Sequence, residues 1–461
     1  MKLNSVTRRS VILSAAGSIA ATAIPGTVRA AGTPRKRKSI DALSQTELDA
    51  YKHAIQIVKN RSAANTNDPK GYDFWASLHD SFDDSVHSGC AHFSEKFFPW
   101  HRQYLADFEA LLQQTDPAVT ADLMIPYWDW SQPPKGGGHF PQPFVDTASP
   151  LYDDTRSTIT PPPWNRANLR PSQLDIPTLI KEKDWNLFAG KPDPSNGFGN
   201  HIGDAESGPH NTLHTNISYD MADPEMAVKD PIFWSFHAGI DLMWARWQRL
   251  HVPAGTAQTF ADGAAIIWFR DRSYTVASTA KTTDFGYEYD YDFSGDGPPA
   301  TTLLAGQAPQ PGITAVAKRT LALPTVATDH AVTAQTPASG SLGNNTLIRL
   351  AGVKTFHDKS YRLTLYLHPK EVTISSLTPE AAGQYGVREI TLWRGHHDGE
   401  VETYVRPTPE QLAHLNQGWA LTLQSEVIPV RGGPPMTNMA AAPAPLPATS
   451  ALVKTLEIEE R

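Results

Sequence analysis

Two strongly aromatic stretches of this chain carry a histidine. One is Phe97-Phe98-Pro99-Trp100-His101; the other runs from Ile232 through His237 to Trp244. Pro99 and Pro231 suit the first turn of a helix, so both stretches predict helices. The second is apolar nearly all round and predicts a buried helix. A buried imidazole must be satisfied by something, either a carboxylate or a metal ion. Both alternatives stay open on this evidence alone.

Composition narrows the choice. The 461 residues include 17 His and 1 Cys. One cysteine excludes an intramolecular disulfide scaffold, a cysteine-based zinc ribbon and an iron–sulfur cluster. Any transition metal must therefore rely on imidazole. Hydrophobic residues at 40% and 12 Trp supply real cores. A net charge of -8 gives no sign of a nucleic-acid surface, so no nucleic-acid partner is expected.

Other histidines stand at informative spacings. His210 and His214 are four apart, so a helix would place both on one face. Asn211 stands where a zinc protease motif requires Glu, which rules that motif out. His92 and His101 bracket the first aromatic stretch. His79 closes a helix predicted over 73–79, with His87 as its competitor. Two groups of three histidines suit copper or zinc better than a di-iron site, which needs several Glu. Spacing does not choose the metal.

The remaining chain divides by pattern. Residues 1–30 hold Arg8-Arg9, a short apolar run and a small-residue end, the form of a twin-arginine signal. The expected location is periplasmic or secreted, with no stable membrane insertion. Ser44 and Glu47 predict a capping box opening a helix that reaches about Asn60. Residues 296–345, rich in Ala, Thr, Pro and Gly, read as a linker. From residue 346 to 461, alternating runs such as Tyr361 to Leu367 and Glu389 to Trp393 predict an antiparallel β domain.

Five motifs in order carry a family resemblance. His92-Phe93 through Pro99-Trp100-His101-Arg102 resembles the first copper motif of tyrosinases, catechol oxidases and molluscan haemocyanins. Pro126-Tyr127-Trp128-Asp129-Trp130 resembles the segment that follows it. His210-Asn211-Thr212-Leu213-His214, and Asp230-Pro231 to His237 and Asp241, resemble the second copper motif. Gly286-Tyr287-Glu288-Tyr289 resembles the tyrosine motif that closes the catalytic core.

The resemblance implies a mainly α fold, with a four-helix-bundle dicopper core at 31–295 and a β-sandwich-like cap at 346–461. It implies two copper ions, one held by His79, His92 and His101, the other by His210, His214 and His237. O2 is the implied co-substrate and small phenols are the implied partners. It implies a thioether between Cys90 and His92. Glu206 and Asn211 would hold a water that deprotonates a phenol. Phe233 would wall the pocket, Asp241 would support a ligand or anchor an arginine, and Arg37 would reach Tyr287 and Tyr289. The cap resembles that of latent polyphenol oxidases, where a side chain plugs the pocket until proteolysis. Tyr361, Tyr366 and Phe356 are plug candidates by type, and Lys318-Arg319 is a candidate cleavage point.

The expected activity is ortho-hydroxylation of monophenols and oxidation of o-diphenols to o-quinones. The alternatives are a diphenol-only oxidase, an o-aminophenol oxidase and a haemocyanin-like oxygen carrier. A copper chaperone as partner and the oligomeric state stay open.

Overall fold

The computed structural model describes residues 34–80, 90–137, 140–156, 175–193, 199–217, 220–261, 263, 266–269, 272–301, 317–321, 331–336, 342–394, 398–428 and 446–460. The signal at 1–30 and His87 lie outside these residues. No helix among the described residues is long and apolar enough to cross a membrane.

Helix α1, Gln45–Ala64, opens with the capping box read from the sequence. Ser44 Oγ accepts from the Glu47 amide, and the Glu47 carboxylate accepts from the Ser44 amide at 2.8 Å. Its Tyr51, Ala54, Ile55 and Val58 face inward at helical spacing. Four further helices of the core bear histidines: α2, Tyr72–Asp80; α3, Phe97–Gln113; α4, Asn211–Ile217; and α5, Ile232–His251. Helix α5 is buried along almost its whole length, as its aromatic sequence requires.

Gly239 explains how α5 sits against the 126–130 segment. A methyl group there would lie 2.4 Å from the Trp128 carbonyl oxygen and 2.5 Å from the Trp130 ring. The close approach lets the Trp128 amide donate to the Ser235 carbonyl at 2.8 Å.

Strand β1, Arg35–Arg37, pairs in parallel with β2, Tyr287–Tyr289. That register sets Arg37 beside the tyrosine motif, with its guanidinium 3.6 Å from the Tyr287 ring centroid. Asp241 accepts from Arg37, from Arg102 at 2.6 Å, and from the hydroxyls of Tyr287 and Tyr289, each at 2.6 Å. Asp241 therefore anchors two arginines, and its carboxylate hydrogen bonds run to them and to the tyrosines. Burial pushes its carboxyl up, but Arg102 and Arg37 outweigh that and hold it below its ordinary range.

The cap is two four-stranded sheets. Its strands are β3, Ala317–Leu321; β4, Ala331–Gln335; β5, Thr346–Thr355; β6, Ser360–His368; β7, Gly386–Leu392; β8, Gly399–Val405; β9, Ala420–Ile428; and β10, Val453–Glu460. The orders are β8-β5-β10-β3 and β4-β9-β6-β7, with antiparallel neighbours. The helical core with a carboxy-terminal antiparallel domain agrees with the expected fold class.

Two segments read as linker, β3 and β4, are edge strands instead. Lys318 and Arg319 pair with β10, and Lys318 also meets Glu457 at 2.7 Å. A protease would have to open that strand first, which removes them as an accessible cleavage point.

The apolar cluster inside the cap includes two residues from outside it, Phe93 and Ile202. Phe93 has φ 55°, the one non-glycine residue in the left-handed region among those described. The Ile202 amide donates to the Glu402 carbonyl at 3.0 Å, and the Glu402 amide donates to Asn200 at 2.8 Å. Ion pairs Lys191–Glu402, Arg388–Asp204 and Arg406–Glu182 flank that junction.

Candidate metal centre

His79, His92, His101, His210, His214 and His237 are all buried and converge between α2, α3, α4 and α5. The nearest ligand atoms of His79, His92 and His101 lie within 4.8 Å of one another, and those of His101, His210 and His237 do likewise. His101 thus faces both halves of the cluster, whereas the family resemblance assigns it to one. His214 joins through its Nε2, 3.2 Å from Nε2 of His237. Two imidazole nitrogens on one tetrahedral metal would stand about 3.3 Å apart, given metal–nitrogen bonds of about 2.0–2.1 Å.

Five rings are fixed through Nδ1. The partners are the Pro224 carbonyl for His79 at 3.0 Å, Glu206 for His92 at 2.6 Å and the Phe97 carbonyl for His101 at 2.7 Å. Asn211 Oδ1 holds His210 at 2.8 Å, and the Met221 carbonyl holds His214 at 2.7 Å. An occupied Nδ1 leaves Nε2 for a metal. His237 is held by stacking instead, between Phe233 at 4.0 Å and His101 at 4.5 Å.

The donor set fits a metal. Nε2 of His79, His101 and His210 is buried and has no hydrogen-bond partner, a costly condition unless something else is bound there. Burial pulls His79 down to about 4 and His214 to about 3. Burial also lowers the other four, and neighbouring imidazoles of the cluster add to the effect. The rings are neutral at pH 7, the form that ligates.

Glu206 opens a widened helical turn, Glu206–His210, in which Gly208 leaves helical geometry. Its carboxylate is buried and accepts from the Phe93 amide at 2.9 Å. Burial raises its pKa well above the usual range. Phe233 lies against His237 and edge-on to His79 at 5.0 Å. Phe236 lines the other side, 5.1 Å from His214. Cys90 is buried and outside any disulfide.

The cap residue seated on the histidine cluster is Trp393, directly after β7. It belongs to the helical core's apolar cluster, not to the cap's. Its indole stacks on His214 at 4.1 Å, stands edge-on to His92 at 5.8 Å and to His210 at 5.7 Å, and donates to the Ala222 carbonyl at 2.9 Å. The plug candidates chosen by type are elsewhere. Tyr361 lies in the cap's interior and Phe356 packs against it. Tyr366 belongs to a small cluster with Ile374 and Ala382.

Helices with six converging imidazoles define a dinuclear metal protein of the tyrosinase and haemocyanin fold. Residues 69–250 match the family model described as the common central domain of tyrosinase. The tyrosinase of Streptomyces glaucescens is 30% identical over 217 residues, covering 40% of this chain and 74% of that protein. Polyphenol oxidase A1 of Vicia faba is 30% identical over 269 residues, 50% of this chain and 41% of its own length. The chain thus spans about half or less of the length of several curated relatives it matches. Among solved structures, latent apple tyrosinase superposes with TM-score 0.64 at 19% identity, over 94% of this chain and 97% of that one. An octopus haemocyanin functional unit gives 0.50 at 18% identity, over 87% and 96%. The chain belongs to the tyrosinase family, whose members hold a dinuclear copper site.

Proposed function

We propose that this chain is a phenol oxidase that ortho-hydroxylates monophenols and oxidises o-diphenols to o-quinones, and that it is latent until the cap is displaced. The observation that carries it is the set of six buried, neutral, converging imidazoles with Trp393 seated among them. His79, His92 and His101 would hold one copper ion, and His210, His214 and His237 the other. Copper bound there supplies O2 activation and takes electrons from the phenol.

The protein's own part is orientation and proton transfer. Phe233 and Phe236 offer flat walls to an aromatic ring. Glu206 Oε2 would take the phenolic proton through a water shared with Asn211. Its raised pKa narrows the gap to a phenol near 10, which favours general-base catalysis. A thioether joining Cys90 to His92 would fix that ring and remove the thiol. Export by the twin-arginine route would carry the folded chain to the periplasm or beyond.

A diphenol-only oxidase is the second reading. Both Glu206 oxygens already have protein partners, and the Asn211 amide donates to the Thr391 carbonyl of the cap at 2.9 Å.

The test is copper-reconstituted protein, before and after limited proteolysis, offered tyramine, a catechol and an o-aminophenol. Coloured product from all but the intact form supports the proposal. Oxidation of catechol alone selects the second reading. Reversible O2 binding without turnover, after the cap is verified as displaced, selects an oxygen carrier. His214→Ala should lose one copper per chain and all activity; full activity in that variant would defeat the ligand set.

A further inference from the structure

The cap touches more than the mouth of the pocket. Within stretch 391–394, one residue reaches a group that holds a histidine, and two reach the segment whose carbonyls hold two more. The Thr391 carbonyl accepts from the Asn211 amide, whose Oδ1 holds His210. The Trp393 indole donates to the Ala222 carbonyl and lies flat on His214. Arg394 forms an ion pair with Asp223, both side chains being nearly buried.

Segment 221–224 is where these contacts meet the cluster. Its Met221 carbonyl holds His214 and its Pro224 carbonyl holds His79. Between those two carbonyls lie the two cap contacts, at Ala222 and Asp223. The segment is otherwise tied by short turns, with Asp223 donating to the Asp220 carbonyl and accepting from Ala227. On the cap side the Arg394 amide donates to Ser360 Oγ at 3.0 Å, so Arg394 is fixed at both ends.

We propose that Arg394 and Asp223 are positioning residues for the metal site, and that cap docking and metal binding strengthen each other. Groups that orient ligating histidines typically contribute 10–100-fold in metal affinity. Binding couplings are reciprocal, so a cap that raises metal affinity must be held more tightly once metal is bound. The proposal rests on the six-histidine ligand set, and on no catalytic step.

The test uses the full chain stripped of metal and titrated with zinc, a redox-inert probe, against a competing chelator. Arg394→Ala should bind zinc about 10-fold or more weakly, with Arg394→Lys recovering part of the loss. Arg406→Ala is the comparison, because it cuts a different cap–core ion pair, to Glu182, away from segment 221–224. Its zinc affinity should match that of the unaltered protein. A second measurement needs no variant: amide exchange over 386–393 in the unaltered chain should slow when zinc is added. Equal zinc affinity for Arg394→Ala and Arg406→Ala, or exchange over 386–393 indifferent to zinc, overturns the proposal. Undiminished zinc binding by His214→Ala would instead overturn the ligand set beneath it.

Discussion

Trp393 lies on the His214 imidazole with 18° between the ring planes. A side chain from one apolar domain is therefore seated on a predicted ligand in another, where an aromatic substrate would stack. Trp393→Ala opens that place without cutting the chain. Turnover of catechol by the uncleaved, copper-loaded variant should rise ~10-fold or more, if opening is populated at ~10% or less. Protease treatment should then add little. Unchanged latency in Trp393→Ala would show that the cap blocks the site by other contacts.

Asp241 gathers two buried guanidinium groups and two tyrosine hydroxyls. Asp241→Asn keeps the volume and removes the carboxylate paired with Arg102, while Arg37 keeps Glu109 at 3.1 Å. Leaving a buried charge unpaired costs ~3–5 kcal/mol. Urea unfolding of the metal-free protein should show a loss of that order. A loss within the scatter of surface substitutions would mean that the tyrosine motif holds the arginines without the carboxylate.

Gly239 has no room for a side chain on the 126–130 face of α5. Gly239→Ala should displace the helix at the point two residues past His237, with an overpacking cost of ~1–3 kcal/mol. Copper content after reconstitution should fall below two per chain. Two tightly held ions in that variant would show that the neighbouring segment yields instead.

Asp220 should give the protein a distinctive pH response. Burial lifts its carboxyl to about 7, and Asp153 and Asp230 push the same way. The folded state therefore holds the proton more tightly than the unfolded state does. Stability from this group is fullest below about pH 4, declines as pH rises towards 7, and is level above. The melting temperatures of Asp220→Asn and the unaltered protein should coincide at low pH. They should separate as pH rises, with the variant higher at pH 8. Parallel curves across that range would show that Asp220 ionises as an ordinary surface acid.

The helical core was readable because its constraints are local. Ser44 with Glu47, Pro231 before an apolar run, and His210 with His214 each put cause and consequence within one or two helical turns. Arg37 reaching Tyr287 was readable only through the family's motif order, since 250 residues of chain separate β1 from β2. Trp393 was missed because a period-2 run ending in Trp looks like any core strand. The signal was parity: Ile390 and Leu392 face the cap's interior, so Trp393, like Thr391, lies on the other face. An aromatic on a strand's outward face calls for a second surface. The carbonyls of Met221, Ala222 and Pro224 had no signal at all, because a backbone oxygen's direction depends on the path of the chain and not on its side chain. Strands β3 and β4 were hidden because each is only five residues long and lies within Ala-, Thr- and Pro-rich chain, too short for an alternation to stand out.

Phe93 follows a predicted copper ligand in sequence, yet its side chain completes the interior of the cap. Severing the linker between the two domains would thus not yield two finished surfaces. The departing sandwich would lack two of its own interior side chains, and the helical part would keep Phe93 and Ile202 as an oily scar beside the newly opened pocket. Were the cap removed as proposed, the helical part would be the form prone to stick to itself or to retain the cleaved cap.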